Sequence, residues 1–327
     1  MIQPNKLLLF AAKIMLLVIP VLLVLGGLFL ELPRNPESYF CGFNLKDNLL
    51  KSAKSPKILL VGGSNLAFGT DSQKLSSEFG INVVNTGLHV SLGSNFMLNW
   101  AEENIRGPGD IVIVSFEYWN FLPGTGYRGD ITLCEVLFEV PGIVRYFGLE
   151  HIVTIWEGTG RTCWLRLLRC LKGIPFKPDA IYNVQAFNKY GDVVSHLDVQ
   201  EDERSIPQVL DPALQDHRRI EINSPAMKRF QQFINCVEAK GTRVYILPPC
   251  LRDNEYLANS ETINFNYNTL KKVFPRQVLS KPSDFVFGAN YFFDTEYHLN
   301  RKGREIRTAK MIQYIRAAEA QERAHYQ

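Results

Sequence analysis

Two segments far apart in the chain have the residue types needed for nucleophilic catalysis. In Val61-Gly62-Gly63-Ser64-Asn65 a serine closely follows the apolar run Lys57 to Val61. The two glycines let the backbone turn sharply and leave the Ser64 hydroxyl uncovered. In Phe293-Asp294-Thr295-Glu296-Tyr297-His298-Leu299-Asn300 two carboxylates precede a histidine. An imidazole can take the proton of a serine hydroxyl, and a carboxylate can hold the ring and stabilise its charged form. Asp294 and Glu296 both qualify for that orienting role. A third segment, Asn85-Thr86-Gly87-Leu88-His89, offers a glycine N–H that could meet an oxyanion. Each segment alone also has an ordinary reading: a turn glycine, a capping Asp, a surface His.

These residues need elements to position them. Lys57 to Val61, Asn82 to Asn85, Asp110 to Phe116 and Thr242 to Leu247 read as short strands, the first, third and last strongly apolar. Asp71 to Phe79, Gly93 to Ile105, Ala226 to Lys240, Asn259 to Phe274 and Asn300 to Ala318 read as helices, and Asp284 to Phe287 as a further short strand. Strands alternating with helices imply an α/β fold with a mainly parallel sheet and helices on both faces. Ser64 then stands at the carboxyl end of a strand, where such sheets bind ligands. Residues 127 to 223 break the rhythm and are expected to form an insertion over the sheet. Within it, Val136 to Ile155 and Cys163 to Leu171 read as helical, and Ala180 to Leu197 as a hairpin turning at Tyr190-Gly191-Asp192.

The first residues stand outside this pattern. Leu7 to Leu30 is almost wholly apolar, and such a helix is long enough to cross a bilayer. Lys6 and Lys13 precede the main run, which orients the N-terminus to the cytoplasm and the rest outside it. Residues 1 to 31 are therefore expected to be a cytoplasmic tip and anchor, 32 to 56 a proline-containing linker, and 57 to 327 the folded domain. The net charge of +3 gives no reason to expect nucleic acid. Neither a dinucleotide fingerprint nor a P-loop is present. His89, His151, His196 and His217 are isolated, so no metal or other cofactor is expected. The six cysteines form no CxxC pair, and Cys163 and Cys170 lie about 10 Å apart on one helix, too far for a disulfide.

Taken together, Gly63-Ser64-Asn65, Asn85 with Gly87, and Asp294 with His298 resemble the ordered blocks of the SGNH (GDSL-like) hydrolases. The resemblance spans about Lys57 to Ile306, outside the insertion. It implies a three-layer α/β/α sandwich of the SGNH/flavodoxin-like kind. Ser64 would be nucleophile, His298 base and Asp294 acid, with the N–H groups of Ser64 and Gly87 forming the oxyanion hole. Asn65, Asn85, Glu117 and Glu296 would line the site. The anchor and the wording of 62 to 70 and 291 to 303 are similar to membrane-anchored, extracytoplasmic members. Those act with a membrane-bound O-acyltransferase partner on exported or cell-envelope polysaccharide, so an acyl, expectedly acetyl, ester of a glycan is the implied substrate. In a Gram-negative source the domain would be periplasmic. Three departures stand out. Gly63 replaces the family's Asp. Glu117 stands where an oxyanion-binding Asn is usual, so either Glu117 is held protonated or Asn95, Asn120 or a backbone group substitutes. Asp294 and His298 are separated by three residues rather than two. These departures also fit a non-catalytic accessory or glycan-binding protein on the same fold.

Overall fold

A computed structural model describes residues 4–177, 179–199 and 211–325. Positions 1–3, 178, 200–210 and 326–327, which include parts of the expected tip and insertion, lie outside the described residues. The chain is mixed α/β. It opens with helix α1 (Pro4–Glu31) and α2 (Gly42–Ser52), then β1 (Lys57–Gly62), α3 (Ser64–Gly69), α4 (Ser72–Phe79), β2 (Asn82–Asn85), α5 (Ser94–Asn104) and β3 (Ile111–Ser115). The inserted region holds α6 (Thr125–Arg128), α7 (Ile131–Glu139), α8 (His151–Leu171) and α9 (Pro212–Gln215). The rhythm resumes with α10 (Pro225–Glu238), β4 (Arg243–Ile246), β5 (Leu251–Arg252), α11 (Asp253–Ala258), α12 (Ser260–Val273), β6 (Val286–Phe287) and α13 (Arg301–His325).

Four strands form one parallel sheet in the order β2-β1-β3-β4, and β5 pairs with β6. Its apolar strands suit a sheet buried on both faces. Alternate residues feed two cores. Leu59, Val61, Val112 and Val114 pack with Phe96, Trp100, Phe230 and Phe233 of α5 and α10. Ile58, Leu60, Ile111 and Ile113 pack with Met311, Ile312 and Ile315 of α13. β1 is flanked by β2 and β3, so the turn that follows it leaves an interior strand.

Residues 32 to 56 are not the linker expected from their prolines and charges. Phe43 and Leu50 of α2 are buried, and the Phe43 and Trp100 rings lie 4.4 Å apart. Lys46 is fully buried and donates to the carbonyls of Asn85 and Gly191. Asp47 accepts from Trp100 Nε1 at 3.1 Å and from the Tyr146 hydroxyl at 2.6 Å. Two of the charges that suggested solvent, Lys46 and Asp47, are thus matched inside, while Lys51 and Lys54 remain exposed. Val136 to Ile155 is not one helix either. α7 ends at Glu139, Pro141 to Tyr146 form a 3-10 turn, and α8 starts at His151. Pro141 lacks the N–H that would continue α7.

The insertion is locked to the sheet through Asp192. Its turn has Gly191 at φ +90, where other residues are strained, and Phe187 bridges Val193. The buried Asp192 carboxylate accepts from Ser72 N at 2.9 Å, Asn85 Nδ2 at 2.8 Å and Arg304 Nη2 at 3.0 Å. One side chain thus joins the insertion to α4, β2 and α13.

Leu8 to Glu31 of α1 spans 24 residues and contains an 18-residue stretch of mean hydropathy 2.8, long and apolar enough to cross a membrane. Its last turns do not swing free. Leu25, Leu28 and Phe29 pack on Phe138 and Cys163. Arg34 donates to the carbonyls of Phe138 and Phe29, and Asn35 N donates to Glu139. All six cysteines are free thiols.

Breaking a buried ion pair from one side leaves the other charge uncompensated. Asp192→Ala should therefore cost about 3–5 kcal/mol of stability. Urea unfolding of the full chain in detergent checks this; a loss below about 1 kcal/mol would count against Asp192 as the insertion's main tie.

Candidate active site

Ser64 is the first residue of α3, directly after β1 and Gly63. The turn is held from beneath by Asn65, which is fully buried. Asn65 N donates to Glu117 Oε1 at 3.1 Å, and Asn65 Nδ2 to the Ser115 carbonyl at 3.0 Å. Arg307 of α13, also fully buried, donates to the Asn65 carbonyl and to Asn65 Oδ1. Gly63 is glycine for a steric reason: a Cβ there would lie 2.5 Å from both Glu117 carboxylate oxygens. Glu117 thus occupies the room that a side chain at 63 would need. Burial raises its pKa, against hydrogen bonds from Asn65 that lower it.

His298 is positioned by a small closed loop. Phe293 N donates to the His298 carbonyl at 2.8 Å, and Thr295 Oγ1 accepts from the N–H groups of Tyr297 and His298. That folding back brings Asp294 Oδ1 to 2.8 Å from His298 Nδ1 despite the longer spacing. The imidazole stacks on Phe68 at 4.0 Å between ring centres and 7° between planes. Phe68 is one helical turn after Ser64 on α3, so a single helix presents the serine and supports the histidine. Nε2 is the ring atom left for Ser64, since Nδ1 is engaged. Burial alone would raise the Asp294 pKa, but hydrogen bonds and charge from His298, with a hydrogen bond from Tyr182, bring it below the ordinary carboxylate value. Asp294 is therefore ionised at neutral pH.

Ser64 and His298 line one cleft of about 450 Å³, together with Asn35, Tyr39, Phe40, Leu88, His89 and Tyr182. Tyr182 was not apparent from the sequence. Its hydroxyl donates to Asp294 Oδ2 and stands 3.2 Å from His298 Nδ1. Burial, then the neighbouring Asp294, push its pKa up and keep it a donor. It comes from the insertion, 112 residues before Asp294. Tyr39, from the segment expected to be a linker, donates to the Leu88 carbonyl at 2.9 Å. No sequence motif marks either tyrosine. His89 lies in the cleft wall and accepts from Ser91 N. Burial pulls its pKa down to about 4, so it is neutral.

The expected oxyanion hole and lining change in detail. The Gly87 N–H is already donated to Asn85 Oδ1 at 2.9 Å. Gly87 is glycine because a Cβ would meet the Gly63 carbonyl at 2.6 Å. Among the described residues, the N–H groups of Ser64 and Leu88 have no acceptor, and both residues line the cleft. Asn65, Asn85, Glu117 and Glu296 do not line it. Asn65 and Glu117 lie under the turn. Asn85 ties β2 to the Leu66 carbonyl and to Asp192. Neither Asn95 nor Asn120 lines the cleft, and the Asn120 amide is already donated to the carbonyls of Val90 and Gly126. Glu296 is buried near Asp211, Glu255 and Arg252 rather than beside His298. No cluster of metal-ligating side chains occurs among the described residues.

Comparisons with family models, with curated proteins and with solved structures give no match to this chain.

Glu296 makes the site region sensitive to pH. Burial, with Asp211 and Glu255 nearby, raises its pKa to about 7. A free Glu titrates near about 4.3. The folded chain thus holds this proton more tightly than the unfolded chain, and stability falls as pH rises from about 4.3 towards about 7. Glu296→Gln should flatten thermal stability across that window and melt above the native chain at pH 8. A native chain equally stable at pH 5 and 8, unchanged by the substitution, would remove this account.

Proposed function

We propose that this chain is an SGNH-type serine-dependent acyl-ester hydrolase or O-acyltransferase acting on an exported or cell-envelope polysaccharide. The observation that carries the reading is the shared cleft: Ser64 at the start of α3, and His298, paired with Asp294, in the same wall. The two cores on either side of the parallel sheet support a three-layer α/β/α arrangement. In this reading α1 is a single-pass anchor with a cytoplasmic N-terminus and an extracytoplasmic domain, and a membrane-bound O-acyltransferase is a partner.

The chemistry follows from the placement. Ser64 Oγ attacks the ester carbonyl while His298 Nε2 takes its proton. Asp294 stabilises the imidazolium, and the Ser64 and Leu88 N–H groups offer hydrogen bonds to the tetrahedral oxyanion. Collapse expels the alcohol, which receives the proton from His298, and leaves an acyl-enzyme. Water then gives hydrolysis, or a sugar hydroxyl gives transfer. Tyr182 and Thr295 hold the acid and the loop in register.

One observation favours a second reading, a membrane-tethered accessory or glycan-binding protein. The Gly87 N–H is occupied and no asparagine amide replaces it, so the oxyanion hole has fewer donors than the family pattern. Removing one such donor typically costs about 10²–10³ in rate.

Fluorophosphonate labelling of the native chain and of Ser64→Ala, with p-nitrophenyl acetate turnover, decides between them. The hydrolase reading expects labelling and turnover that both disappear in Ser64→Ala. A folded native chain that takes no label sinks it in favour of the accessory. Tyr182→Phe removes one hydrogen bond of about 0.5–1.5 kcal/mol. It should lower kcat up to about tenfold with little change in KM; an unchanged kcat would leave Tyr182 a merely structural contact.

A further inference from the structure

Helix α8 has two unlike faces. His151, Thr154, Gly158 and Thr162 are buried, and a Cβ at Gly158 would strike Cys134 of α7 at 2.4 Å. This face is packed as closely as backbone allows. With about 3.6 residues per turn, Ile152, Val153, Trp156, Trp164 and Leu171 fall on the opposite side. There a folded domain in water would carry polar residues. All five are instead exposed, Trp156 at 65% and Leu171 at 73%, and Leu149 extends the patch at 82%. Single exposed apolar residues need no explanation, but five on one helix face, two of them tryptophans, do.

The occupant is indicated by what borders the stripe. Cys163 and Leu167 of α8 pack on Leu25, Leu28 and Phe29, the last turns of α1. The apolar surface of the long helix therefore runs directly into the apolar face of α8. The contact falls at the end of the apolar segment, the depth at which a bilayer meets water. Tryptophan favours that boundary, having an apolar body and a polar N–H. Arg161 and Lys172 are exposed beside the stripe, where headgroup phosphates would lie, and the exposed Glu157 on the same flank is paired with Arg128. We propose that α8 lies in the headgroup–acyl boundary of the bilayer that α1 crosses, with Ile152, Trp156 and Trp164 inserted. The inference rests on the reading of α1 as a membrane span. It gives the inserted region a role: a second hold on the membrane that fixes the domain's tilt.

The tryptophans themselves supply the test. The chain has four, Trp100, Trp119, Trp156 and Trp164, and none lies in α1. Trp100 is 1% exposed. The full chain is reconstituted into vesicles of phosphatidylcholine and phosphatidylglycerol containing dibrominated phosphatidylcholine, which quenches only tryptophans in contact with acyl chains. Carbonate extraction of the same vesicles reports on α1 separately. The expected result is resistance to extraction and loss of about half of the emission from Trp156 and Trp164, which insertion at the boundary would produce. The W156F/W164F double variant should then lose that quenching. Both substitutions are at exposed positions and keep an aromatic ring, so folding is preserved. Resistance to extraction with no quenching of these two residues overturns the docking, leaves the anchor standing and assigns the stripe to a protein. Release of the native chain by carbonate overturns the anchor and the docking together.

Discussion

Arg307 is a guanidinium without solvent, and the groups that accept its hydrogen bonds are the ones that fix Ser64. Burying such a charge costs several kcal/mol unless it is matched. Here the match is made by the Asn65 carbonyl, Asn65 Oδ1 at 2.7 Å and Ser115 Oγ at 3.0 Å. Glu117, which accepts from the Asn65 N–H, also lies near the guanidinium. Asn65 is therefore gripped from α13 on one side and from the end of β3 on the other. Two glycines make the grip possible. A Cβ at Gly69 would lie 2.5 Å from Arg307 Nη1, and one at Gly63 would strike Glu117. Gly63, in the serine turn, and Gly69, at the end of α3, do more than permit the path of the backbone. They vacate the space that a buried acid and a buried base then fill.

The remainder of the site is built against this fixed point by regions outside the α/β repeat. Phe68 carries the His298 ring on the helix that presents Ser64. Tyr182, from the insertion, completes the hydrogen bonding of Asp294. Its own position depends on a packed aromatic group, with the Tyr39 ring 5.6 Å away and the Phe68 ring 5.5 Å away. Lys46 and Asp192 hold the same insertion to β2 and α13. The insertion is thus part of the frame of the candidate site, and a loosening of it would be felt at Asp294 before it was felt in the sheet.

The sheet was legible because its signals are local. Apolar runs closed by glycine or proline turns give β1, β3 and β4, and capping residues such as Asp71 give the helix that follows. The segments of Ser64, Asp294 and His298 could be singled out as candidates for the same reason: each is short and has few alternatives. Side-chain direction was not. Glu117 and Glu296 are acids close in sequence to the site, yet one turns beneath Gly63 and the other joins a buried group with Asp211. Gly87 was read as an oxyanion donor, but Asn85, two residues earlier, takes its N–H. Residues 32 to 56 were hidden by charge. Lys46 and Asp47 look solvated until their partners, far away in sequence, are known. Long-range pairing of this kind leaves no periodicity to read.

The short path from α1 to the cleft has a functional consequence. Asn35 and Tyr39 line the cleft, and only a few residues separate them from Glu31. At no more than about 3.6 Å per residue, Tyr39 lies within about 30 Å of the helix end even if the chain were straight. Nor is this stretch a tether, since Arg34, Asn35 and Tyr39 are all pinned to the domain. A flexible linker would let a membrane enzyme sample substrate well away from the bilayer. A pinned one does not. If α1 crosses the membrane, as proposed, the cleft works within a thin layer above it. In the proposed reaction, an acyl group handed over at the bilayer surface would meet Ser64 at high effective concentration, whereas glycan farther out would be beyond reach. The same rigidity favours transfer over hydrolysis only where the sugar acceptor is also held in that layer. The deciding variable is then the acceptor's residence near the membrane, more than any difference in the nucleophile.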